Sequence, residues 1–288
     1  SLGLVGSEMC IRDRRNIAPV LSQKLGQTVV VDNKGGASGT IGTAELARAP
    51  ADGYTLMLAF DSHAVNGSLY KNLQYDTIKS FDYISLIGTM PAVLLTAKKT
   101  GLTTLEQFLD FARAHPGQVN YGSSGVGGSN HLNLAALAAR TGINVTHVPY
   151  RGGGPMFNAI LGGEVDVVIA SLPTVIGFVQ GGRLNALAIG TAQPVAALLD
   201  VPPIATSVPG FEAYSWVGML APAGLPPAVR KRVQQALRDT LATPQVKNGM
   251  EQGGFNIVAS SPEEFQRRVQ TESQRWGELI RDTGIKIE

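Results

Sequence analysis

Between Val119 and Pro155 the chain reads VNYGSSGVGGSNHLNLAALAARTGINVTHVPYRGGGP, and few folds accommodate such a stretch. An apolar run stops at Gly122, and seven of the eight residues from Gly122 to Ser129 are Gly or Ser. Leu132, Leu134, Leu137 and Ala138 then mark a helical face, INVTHV a second strand and GGG a second loop. The pattern is strand, loop, helix, strand. A Gly/Ser loop leaves backbone N–H groups free, and the helix start adds partial positive charge, so an anion is held there without Lys or Arg. The hydroxyls of Ser123, Ser124 and Ser129 are further donors for a carboxylate or phosphate.

The rest of the chain repeats the alternation. RRNIAPVLSQKLGQ is the end of an amphipathic helix with Ile17, Leu21 and Leu25 on one side. TVVVDNK, DGYTLMLAF and two strands within FDYISLIGTMPAVLLTAKK follow, with a Gly loop and helix over KGGASGTIGTAELARA. TLEQFLDFARAHPG is a helix capped by Thr103 or Thr104 and ended by Pro116-Gly117. After the central stretch come helix PMFNAILGGE, strand VDVVIAS, helix PTVIGFVQGG and strand LNALAIG. WVGMLAPAG leads into a helix with Pro226 and Pro227 in its first turn, and a last helix spans Pro262 to Thr283. Apolar, non-alternating strands between helices argue for mainly parallel sheets covered on both faces, with ligands at the strands' carboxyl ends. On that rule the loop after TLMLAF, with Asp61, Ser62, His63 and Asn66, is a candidate site, as is Ser171 after VDVVIA.

The 288 residues exceed one core, which predicts two lobes: 15–98 with 220–288, and 99–219, with a ligand cleft between them. A net charge of +2 without a basic stripe excludes a nucleic-acid partner, and no run of apolar residues is long enough to span a bilayer. The one cysteine, Cys10, rules out an internal disulfide, and the four scattered histidines give no metal-ligand spacing, so no metal or cofactor is expected. Asn130 stands where a dinucleotide fingerprint needs its third Gly, no Gly-Lys-Ser/Thr occurs, and Val126 spoils a nucleophile elbow. Arg151 reads either as a bidentate carboxylate ligand or as a solvated loop residue.

Residues 1–14, SLGLVGSEMCIRDR, lack the basic and apolar regions of a signal peptide. They resemble translated sequencing-adapter read-through and are read as a non-native or disordered tail outside the fold.

DNKGGASGTIGTAELARAPADGYTL, YGSSGVGGSNHL, HVPYRGGGP, GGEVDVVIASLP, GGRLNALAI and SWVGMLAPAGLPP are similar, in order and spacing, to the Bug (TctC-like) family. Its members are extracytoplasmic receptors of tripartite tricarboxylate transporters. The resemblance covers about residues 15 to 288. It implies a type II periplasmic-binding-protein fold, a periplasmic location, and a signal peptide, first strand and Pro/Gly loop that are not read here, hence an N-terminally truncated chain. It further implies a monomeric receptor that closes about a hinge on a small organic anion (a di- or tricarboxylate, amino acid or aromatic acid) and docks on membrane permease subunits. Carried onto this sequence, the ligand-binding residues are Ser62, His63, Ser123, Ser124, Gly125, Val126, Gly127, Gly128, Ser129, Tyr150, Arg151, Gly152 and Ser171. Arg151 departs from the family, which more often has Lys there. The alternative reading is an enzyme of small-carboxylate metabolism; against it stands the lack of a paired acid and base, metal cluster or nucleophile motif.

Overall fold

The computed structural model describes residues 2–6, 11–34 and 37–286. The chain divides into two units: unit 1 is Ser1–Thr89, Trp216–Gln252 and Asn256–Glu288, and unit 2 is Met90–Ser215 with Gly253–Phe255. The first crossing therefore falls at Thr89–Met90, inside a strand, rather than at 98/99.

In unit 1 the sheet order is β2 (Val29–Asn33), β1 (Leu2–Gly6), β3 (Thr55–Phe60), β9 (Tyr214–Pro222) and β4 (Phe81–Ala97), with β10 (Asn256–Ile257) also on β4. Strands β1, β2 and β3 are parallel, whereas β9 returns antiparallel on β3, pairing Leu58 with Met219. Two expectations about the chain's start need correction. Leu2–Gly6 is a strand, not a tail, and a first strand is present. Its backbone pairs on both sides and satisfies ladder groups of both β2 and β3. Residues 11–14 belong to helix α1 (Ile11–Leu25), while 7–10, with Cys10, lie outside the described residues.

A third correction concerns FDYISLIGTMPAVLLTA, which is one strand of 17 residues and not two. Nothing in it reverses the chain. Gly88 lies so close to the Asn256 carbonyl, at 2.6 Å from a built Cβ, that a side chain there has no room. Pro91 removes one donor, and Ala92 N–H resumes by donating to Ala213 O at 3.0 Å.

In unit 2 the order is β8 (Leu184–Ile189), β4, β7 (Val167–Ser171), β5 (Asn120–Ser123) and β6 (Thr146–Pro149). β5 is parallel to β6 and β7, and β4 is antiparallel to β7 and β8. Each sheet is therefore mixed. Alternate residues of β4 and β7 enter opposite cores. Leu94, Val167 and Ile169 join Phe108 and Leu137 on one face, while Val93, Leu95 and Val168 join Ile160 and Val175 on the other. That is why these strands are apolar throughout.

The helices follow from local chemistry. Thr104 caps α4 (Leu105–Ala114) by accepting from Gln107 N–H. Ser261 and Glu264 form a reciprocal capping box at α10 (Pro262–Thr283). Helix α8 (Pro227–Ala242) packs on α1, where Arg232 donates to Leu25 O at 2.9 Å. Trp216, the first unit 1 residue after the second crossing, donates its indole N–H to Glu272 Oε2 at 2.6 Å. Burial raises the Glu272 pKa, and Arg268, 3.0 Å away, opposes that shift.

Gly218 of β9 faces the Phe265 ring, whose nearest carbon lies 2.1 Å from a built Cβ. We predict that Gly218→Ala costs about 1–3 kcal/mol through overpacking, read as a lower urea midpoint with unchanged slope. An unchanged midpoint means that the ring moves aside freely.

Candidate functional site

In unit 2 the loops at the carboxyl ends of β5, β6 and β7 are joined by backbone bonds. Tyr150 N–H donates to Ser123 O at 2.9 Å and Gly152 N–H to Ser124 O at 3.1 Å. Asn130 Nδ2 donates to Ile169 O at 2.8 Å, tying helix α5 (Ser129–Thr141) to β7. Ser123 to Ser129, Tyr150 to Gly152 and Ser171 are thus gathered at one edge of one sheet. Gly122 allows the close packing beneath: a Cβ there meets Val165 at 3.1 Å and Val168 at 3.2 Å.

The loop uses much of its own hydrogen-bonding capacity. Gly125 N–H donates to Ser123 Oγ at 3.2 Å, Gly127 N–H to His131 Nδ1 at 3.1 Å and Gly128 N–H to Gly125 O at 3.3 Å. Ser123 is fully buried, its Oγ 3.1 Å from Gly125 O and 2.6 Å from His147 Nε2. Since Asn130 Nδ2 must face the Ile169 carbonyl, its Oδ1 faces Ser124 Oγ, 2.7 Å away, and takes the Ser124 proton. Two of the three hydroxyls are therefore committed within the loop. The groups left for a ligand, among the described residues, include the Val126 N–H, the N–H groups of the first turn of α5, and the half-exposed Ser129 hydroxyl. No acidic residue occupies that first turn, so its partial positive charge is uncancelled.

Beneath the loop the rings of His131 and His147 stack at 3.8 Å with an interplanar angle of 5°. Tyr121 of β5 stacks on His147 at 4.8 Å. Burial lowers the pKa of His147 to about 4 and that of His131, with the His147 charge as a second cause, to about 3. Both rings are neutral at pH 7. Sequence reasoning assigned no role to Asn130, His131 or His147; the SNH that ends the loop was the one available signal.

The remaining candidates are placed differently. Arg151 is exposed and Tyr150 half-buried. Ser171 is buried at the end of β7, where the Thr174 hydroxyl donates to its carbonyl at 2.6 Å. Ser62 and His63 belong to unit 1, and they open helix α3 (Ser62–Leu69), not a loop. Asp61 caps it by accepting from Ser62 N–H at 2.9 Å. Ser62 is half-exposed. His63 is buried against Phe81 and Tyr75, bonds the Thr77 carbonyl through Nε2 at 2.8 Å, and has its pKa lowered by burial to about 4.

Among the described residues no cluster of His, Cys, Asp and Glu is built for a metal, and no helix is long and apolar enough to cross a membrane.

Residues 14–285 match the sequence model of TctC, the tripartite tricarboxylate transporter family receptor. Protein BugT of Bordetella pertussis is 33% identical over 276 residues, covering 95% of this chain and 85% of BugT. Among solved structures, the periplasmic binding protein BugD is similar at a TM-score of 0.90 with 30% identity, covering 100% of this chain and 98% of BugD. Rpa4515 of R. palustris, solved with adipate, is similar at 0.92 with 30% identity, covering 99% and 98%.

The buried His63 and His131 and the half-buried His147 make stability depend on pH. Their folded pKa values lie below the ordinary value of 6.5, so the unfolded chain binds more protons as pH falls. Stability is full above pH 6.5 and is lost as pH drops from there toward about 4. Urea midpoints measured at half-unit steps check this; a flat profile from pH 6.5 to 4.5 overturns it.

Proposed function

The chain belongs to the family of tripartite tricarboxylate transporter receptors, and from that premise we propose a periplasmic solute receptor for a small organic carboxylate. The receptor works as a monomer, closes about its crossing strands on the ligand and delivers it to membrane permease subunits. It is not an enzyme.

The observation that carries this reading is the start of α5. Uncommitted N–H groups, a free Ser129 hydroxyl and an unopposed helix dipole converge at the carboxyl ends of parallel strands, with no cation in the set. Such a site suits a carboxylate held by neutral donors. The adipate of Rpa4515 supports the same ligand class. Ser123 and His147 form a hydroxyl–imidazole pair of the kind a hydrolase would use, but the hydroxyl is fully buried and bonded to the Gly125 backbone. It holds the loop and has no access to a substrate.

Thermal unfolding in the presence of adipate, malate, citrate, glutamate and nicotinate tests the reading. One acid is expected to raise the midpoint, since a ligand at 100 times its dissociation constant stabilises by roughly 2.7 kcal/mol. Ser129→Ala is expected to weaken that acid about tenfold, the worth of one hydrogen bond to a charged group. No shift with any acid removes the carboxylate class, and consumption of an acid at catalytic protein concentrations removes the receptor.

A further inference from the structure

The stacked pair His131 and His147 lies directly under the loop, and each ring makes one bond to it. His131 Nδ1 accepts the Gly127 N–H, so that nitrogen carries a lone pair and the proton is on Nε2. Ser123 Oγ accepts the Gly125 N–H and lies within hydrogen-bond distance of both Gly125 O and His147 Nε2. One assignment satisfies all three contacts: the Ser123 proton goes to Gly125 O, and His147 donates from Nε2. Both imidazoles are then neutral Nε2–H tautomers, face to face at 3.8 Å, where two cations would repel strongly.

We propose that His131 and His147 are positioning residues for the anion site, an inference that rests on the receptor reading. Through Gly127 and Ser123 they fix the loop so that the first-turn N–H groups of α5 and the Ser129 hydroxyl stay open to the ligand. The choice of imidazole has a chemical reason. The Gly127 N–H needs an acceptor a few residues from where an anion binds, and a carboxylate acceptor would repel that anion. A buried neutral imidazole accepts without charge. Burial keeps it neutral, and any charge on the stacked His147 ring would oppose its protonation further.

Two measurements test this on the full chain. Without ligand, ¹⁵N NMR at pH 7 is expected to show His131 unprotonated at Nδ1, with a scalar coupling across the hydrogen bond to the Gly127 amide nitrogen. A protonated Nδ1 overturns the proposal whatever the ligand proves to be. With ligand, the tightest binder among adipate, malate, citrate and glutamate is titrated against wild type, His131→Gln, His131→Leu and His131→Asp. The neutral acceptor Gln is expected to stay within about fivefold of wild type and Leu to lose about tenfold or more, with Asp weaker still. Affinities that follow only the thermal midpoints of the free variants, with Leu equal to Gln, show a packing role and overturn the proposal. Should Asp fail to fold, the Gln-to-Leu comparison decides. If no acid binds wild type, the receptor reading falls, and the loop-holding role stands or falls on the tautomer and coupling alone.

Discussion

The ladder along β4 is the interaction on which the rest of this structure depends. One continuous strand supplies β9 and β10 with partners in unit 1 and β7 and β8 with partners in unit 2. Its residues are almost all buried, so its backbone groups have no recourse to water and must be paired along its length. The register of β7 on β4, with Ser171 opposite Ala92, sets where β7 ends. That end in turn anchors Asn130 through Ile169 O, and with it the start of α5. A chain of ladder bonds therefore runs from an apolar strand to the polar edge where the candidate ligand groups lie.

At that edge the protein solves an electrostatic problem with neutral groups. Loop 122–129 contains no charged side chain, and Arg151, on the adjoining loop, is exposed. Recognition by N–H groups and a hydroxyl is weaker per contact than a guanidinium clamp, but it is directional and requires no buried cation. The cost is that the loop must be held in shape. Ser123, Ser124, Asn130 and both histidines serve that end.

Much of the architecture was legible from periodicity and caps. The last helix runs over Pro262–Thr283 with Phe265, Val269, Trp276 and Ile280 buried, because its apolar spacing is helical and its ends carry a capping box and Gly284. The Val119–Pro155 stretch forms the expected strand, loop, helix and strand, because Gly and Ser leave no alternative between the apolar runs. The length of β4 was not legible, since Gly88 and Pro91 are turn residues in most settings and only the Asn256 backbone and the β9 pairing explain them here. Within the site, residue type alone pointed to three serine donors. Which hydroxyls are spent depends on partners such as His147, 24 residues from Ser123, and distance in sequence carries no signal of that kind.

The order in which the two units draw on the chain bears on how the molecule is made. Unit 2 comes almost entirely from the single run Met90–Ser215, whereas unit 1 is assembled from three separated runs. Its β3 waits for β9, more than 150 residues downstream, before its second edge is paired. During synthesis unit 2 reaches nearly its full complement of contacts first. Unit 1 keeps an open sheet edge until the last third of the chain has emerged, so long-range loop closure governs its folding rate. The first unit to appear is the last to finish.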